Sequence, residues 1–472
     1  MTRRSRIRAA TATFLAVLWC ICFYRAATQS FVHDEAWTWE LYLSRPLSVT
    51  FHQFSASNHF LNTLLMRVCM DAFGMSELAL RLPTLAGAAL FFWAVYRLTR
   101  RAFASEPTML LAAAVVALNP LILDFMVAAR GYGLGLALLT WAFSEMLKVL
   151  VSRRPPRKTS LALIGMALAL SVTATLIFAL PAMLLGILFL ALKARDIHGS
   201  AWVALLIPGA SIALLFAALY PFNPFDPAQR ADFYYGAHTA VESARNLAAS
   251  ALQHGGPLQS LRIMNGLCDA AALIVAPLVL AAGLWTGLRK RDSVLILASG
   301  CCVGCIAAFM AAHTAAGLLY PLDRTGIYFA PLVAIALVRI GHLVRETSPA
   351  VFRAACALAC AAVLIFFSEL DVHRFMVWAY DADTKLLAAR IADVRDPFSP
   401  SIQIGGDWQF EPALNFYRVK NHWTWMAPVL RRTLDAPADF FALLPDRDPV
   451  GSGLKVIWTS PVVHSKLAVR PR

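Results

Sequence analysis

Apolar runs long enough to cross a lipid bilayer recur along most of this sequence, and they decide what the chain can fold into. The hydrocarbon layer is about 30 Å thick and a helix rises about 1.5 Å per residue, so a span needs about 20 mostly apolar residues. No water reaches backbone N–H and C=O groups there, and a helix satisfies them within one segment. Such runs lie near residues 9–24, 82–98, 108–123, 131–151, 161–174, 175–192, 201–220, 268–287, 293–312, 326–345 and 352–368, about eleven in all, and then they stop. The expected architecture is a polytopic all-α membrane protein over residues 1–368 with a small extracytoplasmic α/β domain at 369–472. Composition agrees, at 59% hydrophobic and 15% charged, where soluble domains carry about 25% charged residues.

The net charge of +14 would suggest nucleic acid in a soluble chain, but its distribution says otherwise. Arg3, Arg4, Arg6 and Arg8; Arg97, Arg100 and Arg101; Arg153, Arg154, Arg157 and Lys158; Lys193 and Arg195; and Arg289, Lys290 and Arg291 sit in short segments between apolar runs. Threading about eleven spans puts every cluster on one side, the pattern of a cytoplasmic face. The long segments 28–81 and 221–267, and the tail from 369, then fall outside. The first run follows four arginines as a signal peptide would, but the chain stays membranous afterwards, so it is read as a retained helix. These features predict a multi-pass protein of the plasma (inner) membrane with a cytoplasmic N-terminus. Its basic residues meet membrane lipids, and no nucleic-acid partner is expected.

Most of the nine cysteines fall within these runs, including Cys302 and Cys305, whose spacing formally matches a redox or zinc motif. In an apolar run they read as small buried packing residues. Between residues 60 and 72 the apolar positions Leu61, Leu64, Leu65, Val68 and Cys69 recur at helical spacing, with Asn62, Thr63, Arg67 and Asp71 on the other face. This predicts an amphipathic helix lying in the membrane interface and ended by Gly74. In the tail, residues 385–391 read as a helix, and 401–404, 440–444 and 455–459 as short strands between Gly and Pro punctuation.

The segment most suggestive of chemistry is Phe31-Val32-His33-Asp34-Glu35-Ala36-Trp37-Thr38-Trp39-Glu40, just after the first run. Its paired carboxylates stand where a lipid-linked substrate would present its head group. A carboxylate there suits proton abstraction from a hydroxyl, or orientation of a divalent cation. An Asp-Glu pair in a loop is by itself a common solvated pair, and Trp beside a membrane is routine.

The pair does not stand alone. His33-Asp34-Glu35-Ala36 resembles the acidic motif in the first outer loop of GT-C fold glycosyltransferases. Asn58-His59-Phe60-Leu61, followed by Phe73-Gly74-Met75-Ser76-Glu77-Leu78-Ala79-Leu80-Arg81-Leu82-Pro83, is similar to their loop helix and second-span entry. Asn119-Pro120 through Ala129-Arg130-Gly131-Tyr132 resembles the segment before their fourth span, and Tyr320-Pro321-Leu322-Asp323-Arg324-Thr325 a late outer loop. The likeness covers roughly residues 1–370 and is nearest to the protein O-mannosyltransferase and aminoarabinose-transferase (glycosyltransferase family 39-like) branch. His59-Phe60 departs from the His-Pro that relatives often carry.

The resemblance implies a polyprenyl-phosphate-linked sugar donor, an acceptor hydroxyl on an unknown glycan, lipid or protein, and inversion at the anomeric carbon. Asp34 would be the general base, and Glu35 would orient the acceptor or hold a metal. Arg324 and Arg130 would neutralise the leaving phosphate, since guanidinium presents a planar fork of donors. Tyr132, Tyr320 and His59 would line the substrate site. A divalent cation, where one is used, would sit on Glu77 with His33 or His59. Glu77 is equally placed to pair with Arg81 one turn on, and Arg130 to anchor a helix end.

A polyprenyl-lipid flippase or transporter would also be polytopic. Such carriers place ionisable residues near the bilayer midplane between repeated halves. Here no repeat is visible, and the polar residues of interest gather outside the spans. A non-catalytic scaffold is countered only by the Asp34-Glu35 pair and Arg324.

Overall fold

The computed structural model describes residues 2–53, 55–104, 106–152, 235–253, 261–431, 434, 437–447 and 453–471. The expected spans at 161–174, 175–192 and 201–220 lie outside the described residues.

Helix α1 (Arg3–Thr28) opens the fold. The stretch after it holds α2 (His33–Thr38), which runs into a π-helical turn at Trp39–Leu43, then α3 (Leu47–His52) and α4 (Phe60–Phe73). Four helices follow: α5 (Glu77–Phe103), α6 (Pro107–Ala117), α7 (Pro120–Phe125) and α8 (Gly131–Ser152). The next described helices are α9 (Ala240–Leu252) and α10 (Arg262–Ala270), which continues through a π turn into α11 (Ala276–Lys290). Then come α12 (Ser293–Ala316), α13 (Phe329–Val344) and α14 (Pro349–Ser368). Five described helices are long and apolar enough to cross a membrane, namely Arg3–Thr28, Glu77–Phe103, Ile263–Lys290, Ser293–Ala316 and Pro349–Ser368. Leu278, Trp285, Leu364 and Phe367 stand exposed on them, an arrangement suited to a lipid surround.

One expected span is broken. Residues 108–123 form α6 and α7, not a single helix, because Pro120 has no N–H to donate and disfavours helical backbone at Asn119. The Asn119 side chain instead accepts from the Ile122 N–H at 3.3 Å and starts α7.

Helix α4 ends at Gly74, whose φ is +80°. Its polar residues Asn62 and Thr63 are buried, while Leu65, Val68 and Phe73 are exposed. Ser76 then caps the start of α5, its Oγ accepting from the Ala79 N–H at 3.1 Å.

After Ser368 the chain folds as α15 (Thr384–Val394), β1 (Ile404–Gly406), α16 (Glu411–Lys420), β2 (Phe440–Leu443), β3 (Lys455–Thr459) and β4 (Lys466–Val469). The sheet order is β1-β2-β4-β3, with β1 and β2 parallel and the other pairs antiparallel. Two cores result. One unites the long helices through residues such as Phe91, Phe103, Ala113 and Phe125. The other joins Phe31, Trp39, Tyr42 and Met66 to Leu387, Ile404, Phe416 and Tyr417. Phe31 stacks on Phe416 at 4.2 Å, and Trp39 meets the same ring edge-on at 5.6 Å. The tail is therefore packed against the stretch after α1.

Candidate active site

Helix α1 ends with carbonyls that have no partner within the helix. Arg81 of α5 supplies one: its Nη1 donates to Ala26 O (3.2 Å) and Gln29 O (2.9 Å), and its Nη2 to Ser30 O (2.6 Å). The remaining donors go to Glu35, Nε to Oε1 at 2.9 Å and Nη2 to Oε2 at 2.6 Å. Glu35 also accepts from the Val32 N–H at 3.0 Å and the Ala129 N–H at 2.5 Å. It is fully buried, and its oxygens are occupied. This corrects the expectation that Glu35 orients an acceptor or holds a metal; its partners make it a brace between α1, α2, α5 and the segment before α8.

Consecutive helical residues point about 100° apart, so Asp34 faces the other way. Its side chain is 22% exposed, with Arg130 Nη2 3.7 Å and Arg324 Nη2 3.9 Å from Oδ2. The Trp378 indole also favours its charged form. Burial alone would raise the Asp34 pKa, but Arg130, Arg324, His33 and Trp378 together hold it below the usual carboxylate range.

The two arginines differ. Arg130, only 3% exposed, donates to Asp34 O at 3.2 Å and Thr38 Oγ1 at 2.7 Å, so it is tied to α2. Arg324 is 17% exposed and lies over the Tyr235 ring at 4.5 Å and the Tyr132 ring at 6.0 Å. Its turn is fixed by α9: Asn246 Oδ1 accepts from the Asp323 N–H at 2.7 Å, and Ser250 Oγ donates to Asp323 Oδ1 at 2.8 Å. Asp323 also accepts from the Tyr235 hydroxyl.

Tyr132 carries His59 edge-on at 4.7 Å. Tyr320 packs its ring on His313 at 4.7 Å, and its backbone pairs with Ala237, which links the Tyr235 and Arg324 segments.

The expected metal set is not assembled among the described residues. Glu77 pairs with Lys385 at 3.0 Å and with Lys420, not with Arg81. The Nδ1 of His33 lies 2.7 Å from the Gln409 carbonyl, which can only accept, so that nitrogen carries the proton. Burial lowers the His33 pKa and favours the neutral ring. With Asp34 beside two guanidiniums, Glu35 saturated and Glu77 between ammonium groups, these donors do not fit a divalent cation. No group of three His, Cys, Asp or Glu suited to a metal occurs among the described residues.

Several residues at the site were not legible in the sequence, and they come from the tail. Asp381 accepts from the His33 N–H at 2.6 Å and from Thr384 Oγ1 at 2.7 Å. Burial, with Asp34 and Glu35 adding to it, pushes its carboxyl up to about 8 despite these bonds. The Phe31 N–H donates to the Tyr417 hydroxyl at 2.8 Å. The buried pair Arg25–Asp124 (2.5 Å) holds the segment that carries Trp378, with Asp124 Oδ2 accepting from the Met376 N–H at 2.8 Å and Arg25 donating to Arg374 O at 3.1 Å. Aromatic and acidic residues just after a span are too ordinary in sequence to single out Trp378 or Asp381.

No protein-family model matches the chain, and no curated protein matches its sequence. Solved structures do match. ArnT from Cupriavidus metallidurans bound to undecaprenyl phosphate aligns with a TM-score of 0.53 at 15% identity, over 98% of this chain and 99% of that one. The Archaeoglobus fulgidus oligosaccharyltransferase in complex with Zn and sulfate aligns at 0.51 and 13% identity, over 92% of this chain and 68% of that one. At such identities the likeness is one of fold, and it shows that this multi-pass membrane chain adopts the GT-C fold.

Proposed function

We propose that the chain is a membrane glycosyltransferase that moves a sugar from a polyprenyl-phosphate carrier to an acceptor hydroxyl at the outer face, with inversion. The observation that carries this reading is Asp34, on α2, open on one side and flanked by Arg130 at 3.7 Å and Arg324 at 3.9 Å. ArnT, with which the chain shares its fold end to end, has been solved with undecaprenyl phosphate bound.

In the proposed reaction Asp34 takes the proton of the acceptor hydroxyl. The acceptor oxygen bonds to the anomeric carbon as the bond from that carbon to the phosphate oxygen breaks. The electron pair leaves with the lipid phosphate, which needs charge neutralisation more than protonation. Arg324, the more open guanidinium, takes that role in this reading. A donor phosphate at Arg324 would share its charge and return basicity to Asp34. Arg130 holds α2 in position.

The test is transfer from radiolabelled polyprenyl-phosphate sugars to a membrane extract by the protein in nanodiscs, with Asp34→Asn alongside. Label moving to the extract, and not in the variant, supports the reading. Label crossing the bilayer still on its lipid overturns it in favour of a flippase.

A further inference from the structure

Two tryptophans share one guanidinium across the junction of α2 and the tail. Trp37 follows Asp34 by three residues on α2, which brings such side chains to within about 5–6 Å at their Cβ atoms. Trp408 stands just before α16 and is 49% exposed. The Arg431 guanidinium lies over both rings, 5.2 Å from Trp37 and 5.1 Å from Trp408, and pairs with Glu411 at 2.7 Å. His33 closes the inner side, edge-on to Trp408 at 5.2 Å and stacked toward Trp37 at 6.4 Å.

Polar atoms at this platform are left unsatisfied. Glu40 Oε2 and Gln409 Oε1 are buried without a hydrogen-bond partner among the described residues. Arg45, Arg418, Arg431 and Glu411 all lie within electrostatic reach of Glu40. Buried polar atoms are normally paired, so two free acceptors beside a half-exposed indole describe a site awaiting donors. A ligand with a flat apolar face and a rim of hydroxyls supplies what is missing. A pyranose has that shape: its C–H face can pack on indole, and its hydroxyls are donors of the kind those two oxygens lack. An acyl chain would bring no donors, and a short Ser or Thr side chain would not cover two indoles.

We propose that Trp37 and Trp408 form an acceptor subsite and that the acceptor is a saccharide, seated so that one hydroxyl reaches Asp34. This rests on the transferase reading above.

The full chain in nanodiscs would be given radiolabelled polyprenyl-phosphate sugars and three acceptor pools: oligosaccharides released from cell envelopes, Ser/Thr peptides, and phosphatidylethanolamine vesicles. The expected result is transfer to the oligosaccharides. Trp408→Ala should raise the acceptor KM about tenfold with a much smaller change in kcat, and Trp408→Phe should stay within about threefold of the parent. Trp285→Ala, on the exposed face of α11, should change neither. Transfer confined to peptides or vesicles, or an acceptor KM that Trp408→Ala leaves within about twofold, overturns the subsite alone. No transfer to any pool counts against the transferase reading and takes the subsite with it.

Discussion

Glu35 and Arg81 hold each other through two hydrogen bonds, at 2.9 and 2.6 Å, with neither side chain exposed to solvent. Every N–H of Arg81 is used, three of them on carbonyls at and just past the end of α1. Removing one partner of a buried pair strands the other charge, at about 3–5 kcal/mol. Glu35→Gln is therefore expected to lower thermal stability in detergent or nanodiscs by that order, and Arg81→Lys to do no better, since an ammonium cannot span the same acceptors. Unchanged unfolding temperatures would assign the pair some role other than bracing.

Asp34→Asn should behave differently. The side chain is partly open and bonded by few groups, so the fold should survive, whereas loss of a general base costs typically 10²–10⁴-fold in rate, an order-of-magnitude figure. Turnover against polyprenyl-phosphate sugars, compared with the unfolding temperature of the same preparation, checks both halves.

The arginines around Asp34 predict a pH profile. Because they hold its pKa below the usual value, the carboxylate persists as pH falls, and the acid limb of kcat/KM should lie below the ordinary aspartate range. Arg324→Gln removes one of the two cations, so the limb should move upward, with a higher donor KM. Arg345→Ala serves as the control: Arg345 pairs with Glu106 in a separate cluster. Equal effects from both variants would mean a general loss of stability.

Asp381 predicts a second dependence, of opposite sign. Its folded pKa of about 8 lies above the unfolded value, so its neutral form stabilises the fold at low pH. That contribution, on the order of a few kcal/mol, declines as pH rises toward 8 and is lost above it. Asp381→Asn should flatten this part of the stability curve. Unfolding temperatures from pH 5 to 9 that fall equally in parent and variant would exclude Asp381 as the cause.

The parts of this fold that lipid or local geometry dictates were legible in the sequence. Bilayer thickness sets the length of the apolar runs, and the period of Leu61, Leu64, Leu65 and Val68 with Gly74 behind it marks α4. Asp34 was visible because it follows a span within a recognisable motif. Glu35 was misread, because which of two adjacent side chains points inward depends on where α2 turns. Glu77 was offered Arg81 at one helical turn, but Lys385 and Lys420 arrive from more than 300 residues away. Trp378 and Asp381 reach Asp34 and His33 by the same route, and no local pattern announces contacts of that range. Asn119-Pro120 did carry a legible signal, and a continuous apolar run concealed it.

The shared core of the stretch after α1 and the tail has a consequence for biosynthesis. Phe31 waits for the hydroxyl of Tyr417, 386 residues later, and His33 for the carboxyl of Asp381, 348 residues later. A nascent chain that has already inserted its spans still lacks the tail side of this core, with Phe31, Trp39 and Tyr42 uncovered. A chain arrested before residue 381 would therefore hold Asp34 in the membrane with neither of these partners in place.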